Sequence, residues 1–533
     1  MAKMIFPQYR RGKTGIEIFE GSVLDHARKL GIEISSECGG DGRCGKCVVR
    51  IESGKESLAP KTEAERSFEL GEDERLACQA RVIRPADIYV FVREMGEYTI
   101  LSDTVEDKTA LNPFVYKRDG KVFWRSPARE EEISEYTGGI YGLAIDVGTT
   151  TLVSQVLNLE SGDRITTLTR KNPQGAYGDD VISRAGYTMS HDGGLEELQQ
   201  VIVNAVNDSL KGLVSDVGDI YEAVVVGNST MRSIFFGVDV SSLGVLPFEP
   251  FTKEPVNVKA SELGLQINPK ANVYGAGLIG GHAGADALSD ILASEMYKSE
   301  KPAMTIDVGT NGEVIVGNKD QMLTASCAAG GAYEGATVGS GVGAIEGAIK
   351  NIRIVNGKAE YETIGDKPAI GICGSGLIDL LAEMLRNEII DREGKFANPE
   401  RVFFVDRDRG ISITQEDVNQ LMLARAGMSL DQKSLIRYYN TSVDEIDKIY
   451  LAGAFGNYIN ADNAIAIGLL PDAKGKVVKI GNGALAGARQ MLISQEKRRE
   501  AEDIVKKIKH LKPNEEEGFF DAFVDGLCFE SWR

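Results

Sequence analysis

Four cysteines near the N-terminus constrain this chain more than any other feature. Cys38, Cys44, Cys47 and Cys78 are spaced C-x5-C-x2-C-x30-C. The first three lie in the glycine-rich run Cys38-Gly39-Gly40-Asp41-Gly42-Arg43-Cys44-Gly45-Lys46-Cys47, and the fourth closes Leu76-Ala77-Cys78. Glycines let such a loop turn tightly and aim backbone N–H groups at anionic sulfurs, so the run reads as a cradle for a metal centre. A structural zinc site usually pairs its ligands as two Cys-x2-Cys units, and this region has one. A disulfide framework belongs to short secreted chains, whereas this chain has 533 residues and no signal-peptide core in its opening Met1-Ala2-Lys3-Met4-Ile5-Phe6-Pro7. Gly40 to Cys47 also spells GxxxxGK, but Cys stands where a phosphate loop needs the Ser or Thr that holds magnesium. That reading is discarded.

The spacing resembles plant- and vertebrate-type [2Fe–2S] ferredoxins, whose plant form is C-x4-C-x2-C…C. This chain carries one extra residue in the first gap. The resemblance implies one [2Fe–2S] cluster held by Cys38, Cys44, Cys47 and Cys78, and so single-electron chemistry. Residues 1–96 read as a self-contained domain around it. Gly15 to Phe19 alternates as a strand, Ser22 can cap a helix over Val23–Leu30, and Cys47 to Ile51 and Ile88 to Val92 read as further strands. The pattern resembles the β-grasp ferredoxin fold.

The formal net charge of −19 argues against nucleic acid as a partner. No run of eighteen apolar residues exists, so no spanning helix and no membrane role is expected. A cytoplasmic location is expected. The remaining cysteines, Cys327, Cys373 and Cys528, are too few for a second four-cysteine cluster and read as buried reduced thiols.

Residues 97–138 carry few apolar repeats and the acidic run Glu130-Glu131-Glu132, which reads as a linker or small connecting module. Residues 139–533 alternate short apolar strands with helical stretches, an α/β character. They also repeat a phrase: Leu143-Ala144-Ile145-Asp146-Val147-Gly148-Thr149-Thr150-Thr151 recurs 161 residues later as Met304-Thr305-Ile306-Asp307-Val308-Gly309-Thr310-Asn311-Gly312-Glu313. Two copies a domain apart suggest a duplicated fold, with halves at 139–300 and 301–533, the second including a C-terminal tail.

A strand ending in Asp-x-Gly-Thr and followed by another strand is a tight hairpin whose N–H groups can embrace a phosphate while the aspartate holds magnesium. One copy alone is an ordinary turn; the order of parts adds weight. After the Asp146 hairpin comes the small-residue helix Gly281-His282-Ala283-Gly284-Ala285-Asp286-Ala287-Leu288, then the Asp307 hairpin. Tyr450-Leu451-Ala452-Gly453-Ala454-Phe455-Gly456 follows as a strand entering a glycine turn, and a helix is expected over Asn463–Gly468. This order resembles the sugar kinase/Hsp70/actin superfamily, two RNase H-like halves with ATP and Mg2+ in the cleft. The resemblance places the nucleotide-binding parts on Asp146, Gly148, Thr149 and Thr150; on Asp307, Gly309, Thr310, Asn311 and Gly312; and on Gly453, Ala454, Phe455 and Gly456. The second hairpin departs from the superfamily's Gly-Gly-Thr, which leaves the water-positioning residue open, with Glu313 a candidate. Gly275 to Gly280 spells GxGxxG, but the acidic residue that should end a second strand about twenty positions on is absent, since that interval reads as a helix over Ala285–Tyr297.

A ferredoxin domain joined to a kinase-like ATPase resembles the reductive activators of corrinoid enzymes, which accompany methyltransferases and corrinoid iron–sulfur proteins in anaerobes. Matching phrases run along nearly the whole chain: Asn172-Pro173-Gln174 with Gly178 to Arg184, Gly227-Asn228-Ser229-Thr230-Met231, and Pro247-Phe248. Ala328 to Gly335, Gly374 to Asp379 and Gly481-Asn482-Gly483 to Ala488 continue the set. Each alone could be a packing turn; the ordered set is specific. Gly331 stands where the family often has proline.

The resemblance implies ATP-dependent, one-electron reduction of an inactive Co(II) corrinoid, held on a partner protein, to Co(I). A plant-type cluster sits near about −400 mV, and each further ~59 mV uphill costs about tenfold in a one-electron transfer, so nucleotide-driven change in the partner site is a coherent addition. The implied partners are a corrinoid protein of a methyltransferase or corrinoid iron–sulfur system and a low-potential electron donor, with a homodimer left open. Two rivals stand beside this reading: an activator of a radical dehydratase, and a redox-sensing, actin-like nucleotide-binding module without reductase activity. After the second hairpin, the small-residue run Thr324-Ala325-Ser326-Cys327-Ala328-Ala329-Gly330-Gly331 permits close approach of a bulky flat ligand, with Ser326 the side chain expected nearest cobalt. The alternative is that the run packs a buried turn.

Overall fold

The computed structural model describes the chain except residues 1, 8–14, 31, 33, 35, 37, 44, 46, 69, 93–108, 128, 212–216, 310, 329–330, 336, 454–457, 474 and 530–533. It divides into two compact units, one of residues 1–96, 171–205 and 233–247, the other of residues 97–170, 206–232 and 248–533.

In the first unit a five-stranded sheet contains β1 (Lys3–Ile5), β2 (Gly15–Glu17), β3 (Val48–Ser53), β4 (Glu74–Leu76) and β5 (Ile88–Val92), in the order β2-β1-β5-β3-β4. Helix α1 (Val23–Lys29) starts at Ser22, whose hydroxyl accepts from the Asp25 amide while the Asp25 carboxylate accepts from the Ser22 amide. That reciprocal cap satisfies two orphan donors. Val23, Leu24 and Ala27 of α1 pack into a core with Met4, Val49 and Val90. Helix α2 (Glu63–Arg66) places Glu65 against Arg75 of β4: Nε donates to Oε1 at 2.7 Å and Nη2 to Oε2 at 3.0 Å. Burial alone would raise the Glu65 carboxyl, but the Arg75 guanidinium holds it below its usual range. The same carboxylate accepts from the Leu76 amide at 3.1 Å, which fixes the chain two residues before Cys78. Helix α3 (Val181–Ser190) and the first part of α4 (Gly194–Leu210) follow in the 171–205 segment.

In the second unit, β6 (Val115–Arg118), β7 (Lys121–Arg125) and β8 (Glu130–Glu135) form an antiparallel meander. Val115, Val122, Trp124 and Ile133 share one core with the strands and helices beyond it. Trp124 donates to the buried Glu222 carboxylate at 3.4 Å, and Arg498 pairs with that carboxylate at 2.9 Å. The acidic run is a strand with cation partners, Arg118 on Glu130 at 2.8 Å, Lys259 on Glu131 at 2.9 Å and Lys121 on Glu132 at 2.7 Å.

Strands β9 (Tyr141–Val147), β10 (Thr151–Asn158), β11 (Arg164–Lys171), β12 (Ile220–Val226), β13 (Val256–Lys259) and β14 (Asn272–Gly275) form a six-stranded sheet, ordered β11-β10-β9-β12-β14-β13. Helices α5 (Ser229–Phe235), α6 (Ala260–Leu263) and α7 (Ala285–Ser294) belong to this half. The second half begins with β15 (Ala303–Val308), β16 (Asn311–Gly317) and β17 (Met322–Ala328). An insertion follows: β18 (Ala348–Val355), β19 (Lys358–Thr363) and β20 (Gly371–Ile372) in one small sheet, α8 (Gly374–Arg386), the hairpin β21 (Val402–Asp406) and β22 (Ile411–Thr414), and α9 (Gln415–Tyr439). Then come β23 (Ile449–Ala452), α10 (Ala461–Ala466), β24 (Val477–Gly481), α11 (Gly483–Ile493), α12 (Gln495–Lys507), β25 (Ile508–His510) and α13 (Phe519–Asp525). The second sheet runs β24-β23-β15-β16-β17-β25. Three antiparallel strands followed by two parallel ones therefore occur twice: β11-β10-β9 then β12 and β14, and β17-β16-β15 then β23 and β24. The repeated phrase marks the same hairpin in both halves.

Helices α7 and α11 follow the last parallel strand of each half and cross in contact. A Cβ on Gly487 would lie 2.5 Å from the Ser289 Cα, so glycine alone allows the approach. Two boundaries differ from expectation. The helix expected from Gly281 begins at Ala285, because the extended Gly284 presses on the chain at Ser229, where a Cβ would come within 2.5 Å of the amide nitrogen. The helix expected over Asn463–Gly468 runs Ala461–Ala466, because Asn460 caps it by accepting from the amides of Asp462 and Asn463. No described helix is long and apolar enough to cross a membrane.

Candidate functional site

The cysteine loop takes its geometry from strand register. Val48 of β3 pairs with Leu76 of β4, and the Ala77 amide donates to the Cys47 carbonyl at 2.8 Å. The cysteines just outside that register meet, with Cys47 Sγ 3.4 Å from Cys78 Sγ. The Cys78 thiol is pulled down to about 7, first by the Cys47 sulfur, against burial, and further by the Gln79 amide and the Gly42 N–H. Gly42 has φ +75°, and a side chain there would run into Gln79 at 2.8 Å. A thiol readily ionised at neutral pH, in contact with a second thiol and ringed by N–H donors, suits thiolate ligation of iron. Cys38 stands at the start of the glycine run; Cys44 lies outside the described residues. The described cysteines Cys38, Cys47, Cys78, Cys327, Cys373 and Cys528 form no disulfide.

In the second unit the two hairpins face one cleft. From the first half come Asp146, Gly148, Thr149 and Thr150; from the second come Asp307, Gly309, Asn311, Glu313 and Gly453. The Gly148 amide closes the first turn on the Thr151 carbonyl at 3.0 Å. Gly453, at φ +115°, brings the chain against Asp307, where a Cβ would stand 2.9 Å from Oδ1. Gly312 faces away, toward Met428 of α9, 2.8 Å from where its Cβ would be. Thr310, Ala454, Phe455 and Gly456 lie outside the described residues. Ser326 sits on β17 opposite Glu313 of β16 and donates to its Oε1 at 3.4 Å. The small-residue run is thus largely a strand rather than a turn.

Four polar residues that the repeat did not single out also line the cleft, and a fifth, Asp290, lies one helical turn beyond it. Asn228 donates to the Thr149 hydroxyl at 2.9 Å, and Asn482 to Asp146 at 2.9 Å. Glu334 accepts from the Thr150 hydroxyl at 3.2 Å. Asp286 lines the cleft from α7, and one helical turn on, Asp290 is fully buried with neither carboxylate oxygen meeting a donor. The i, i+4 spacing of Asp286 and Asp290 was the signal that both share one helix face.

The electrostatics are one-sided. Asp146, Asp286, Asp307, Glu313 and Glu334 line the cleft, and none of the described lining residues is Lys, Arg or His. Burial pushes Asp146 and Asp286 up to about 7 and Asp307 to about 6, with neighbouring carboxylates adding to the first two. Burial and the same neighbours push Asp290 and Glu313 up well beyond the usual carboxylate range. Five carboxylates beside two phosphate-type turns, with no basic side chain among the described lining residues, suit a nucleotide that arrives with its own divalent cation.

An electron-carrying cysteine loop and a duplicated two-hairpin cleft define a class: a [2Fe–2S] ferredoxin domain joined to an ATPase of the sugar kinase/Hsp70/actin type. Comparison with known proteins agrees. Residues 12–82 match the 2Fe-2S iron-sulfur cluster binding domain, residues 141–299 the RACo middle region, and residues 301–532 the C-terminal domain of RACo, its ASKHA domain. The corrinoid activation enzyme RamQ of Eubacterium limosum is 31% identical over 578 residues, covering 96% of each chain. The [Co(II) methylated amine-specific corrinoid protein] reductase of Methanosarcina barkeri is 24% identical, covering 73% of this chain and 77% of that one. A solved reductive activator for corrinoid, iron-sulfur protein superposes with a TM-score of 0.74 at 28% identity, covering 99% of this chain and 98% of its own. The chain belongs to the family of reductive activators of corrinoid proteins.

Proposed function

We propose that this protein is an ATP-dependent reductase that returns a protein-bound corrinoid from Co(II) to Co(I). The observation that carries the nucleotide half is the pair of hairpins bearing Asp146 and Asp307 on one cleft, with five carboxylates and no described basic side chain lining it. The electron-transfer half rests on the cysteine loop, and the corrinoid on relatives whose names specify corrinoid proteins and which match almost end to end.

In this reading Asp146 and Asp307 hold the magnesium of Mg-ATP, directly or through water, and the cation when bound neutralises charge on the phosphate oxygens. Backbone N–H groups of Gly148, Thr149 and Thr150, and of Gly309, Thr310 and Asn311, cradle the phosphates, while Gly453 to Gly456 receive the adenosine. Glu313 orients the attacking water. Cys38, Cys44, Cys47 and Cys78 hold the cluster, which supplies one electron at a time from a low-potential donor. Ser326, tied to Glu313 at 3.4 Å, would link the state of the cleft to the corrinoid, to which its hydroxyl would offer a weak oxygen donor. Domain limits of 1–96, 97–138, 139–300 and 301–533 go with these roles, as does a cytoplasmic setting that keeps the cluster thiolates reduced.

The test mixes the cluster-loaded protein, a reductant and a Co(II) corrinoid protein, with and without Mg-ATP, and follows Co(I) by its visible spectrum. Co(I) formed only with ATP is the expected result. ATP turnover indifferent to the corrinoid protein, with no Co(I), would favour the redox-sensing nucleotide module instead.

A further inference from the structure

Arg28 occupies the last turn of α1 with a side chain 11% exposed. Its Nε donates to the Ala176 carbonyl at 2.9 Å, Nη2 reaches the same oxygen, and Nη2 also donates to the Gly39 carbonyl at 3.4 Å. Gly39 follows the cluster cysteine Cys38; Ala176 belongs to the segment that follows Asn172-Pro173-Gln174, in the same compact unit. The guanidinium lies over the Tyr177 ring at 4.5 Å and the Tyr187 ring at 5.7 Å, and those rings meet edge to face at 5.0 Å. Both phenols donate to the Glu197 carboxylate, at 3.2 and 2.7 Å, which fixes the aromatic box from behind. Gly39 has φ +68°, and a Cβ there would stand 3.3 Å from the Tyr177 carbonyl, so the loop lies directly on this segment.

We propose that Arg28 is a positioning residue that latches the cluster loop onto the 172–177 segment, and that the latch tightens when the loop gains an electron. An arginine's flat fork suits this place, because two acceptors and two ring faces surround it. Asp25 of α1 pairs with Nη1 at 3.8 Å, which holds the guanidinium from one side while Nη2 faces the loop. Reduction takes one electron from the reductant and adds one negative charge beside that cation, with no bond made or broken. If the latch favours the reduced loop, linkage requires the latch to raise the midpoint potential by the same free energy.

This inference rests on the [2Fe–2S] loop and not on the corrinoid. The test is an EPR-monitored redox titration of the full, cluster-loaded chain with dithionite and mediators. Arg28→Met should shift the oxidised-to-reduced ratio at fixed potential about tenfold, a midpoint about 59 mV more negative. Arg28→Lys, which keeps the charge and loses the fork, should shift it by less than half as much. Hydrogen exchange of the Gly175 and Tyr177 amides should be slower in reduced than in oxidised wild-type protein, and equal in the two states of Arg28→Met. An unchanged midpoint in Arg28→Met, or exchange in the wild type that ignores redox state, overturns the latch. Should Arg28→Met fail to retain its cluster, the lysine variant and the wild-type exchange decide alone. Failure to reduce a corrinoid protein would remove the proposed function and leave these readouts as they are.

Discussion

Asn482, the cap of α11 in the second half of the ATPase, donates from Nδ2 to Oδ2 of Asp146 in the first half at 2.9 Å. Its own Oδ1 accepts from the Leu485 amide at 2.7 Å, so one side chain both starts a helix and steadies a carboxylate across the cleft. Burial drives the Asp146 carboxyl up to about 7 even with that hydrogen bond in place, and the bond holds it below where burial would otherwise put it. Asn482→Ala should cost about 1 kcal/mol from the lost cap and push Asp146 further up. Mg-ATP affinity of this variant should then fall more steeply than that of the wild type as pH drops from 8 to 6, by isothermal titration. Parallel pH profiles would show that Asn482 serves the helix alone.

Asp146→Ala and Asp307→Ala each remove a carboxylate aimed at the cleft. Loss of one such group is worth about 2.7–4 kcal/mol of transition-state stabilisation, so ATP turnover should drop about 100- to 1,000-fold in each. The EPR signal of the cluster should be untouched. Normal hydrolysis by Asp307→Ala would make the second hairpin a packing copy.

Cys78→Ser should bleach the protein and remove the EPR signal of one [2Fe–2S] cluster per chain, as should Cys44→Ala. Nucleotide binding should survive both, because none of the residues lining the cleft comes from the cysteine loop. Zinc in place of iron, or two clusters per chain, would defeat the assignment.

Asp431 of α9 is 3% exposed, one of its oxygens meets no donor, and burial raises its pKa to about 7. The folded state therefore holds this proton more tightly than the unfolded chain. The penalty is absent below the unfolded pKa near about 3.9, grows as pH rises, and is complete above about 7. Asp431→Asn should thus stabilise the protein at pH 8 by about 2–4 kcal/mol and progressively less toward pH 5. Denaturant unfolding at the two pH values measures this, and a constant difference would exclude titration of Asp431.

Ser326→Ala should slow corrinoid reduction while cluster reduction and nucleotide binding stay as in the wild type. Stopped-flow spectra of a Co(II) corrinoid protein resolve the step. An unchanged rate would leave the hydroxyl as a strand-pairing partner of Glu313 only.

Local chemistry was the legible part of this chain. Thiolate spacing and the Asp-x-Gly hairpins are set within a few residues, and they led to Cys47 beside Cys78 and to Asp146 and Asp307 on one cleft. Asn228, Glu334 and Asn482 lay in phrases that stood out but carried no role, because their partners are 79, 184 and 336 residues away in sequence. Asp290 carries no local sequence signal of its own, because only tertiary packing buries it. The acidic Glu130-Glu131-Glu132 read as a linker because its cations come from neighbouring strands, while Trp124 and Ile133 bury the opposite face.

The missing side chain at Gly487 gives the two halves a shared axle. With Ser289 directly against its backbone, no deformable layer of side chains separates α7 from α11. Both helices start at the cleft, one with Asp286 near its first residue and the other with Asn482 as its cap. A tilt begun at either end is handed on as in meshed gears rather than cushioned. A single methyl group at position 487 would act as a wedge in that bearing and force α7 and α11 apart.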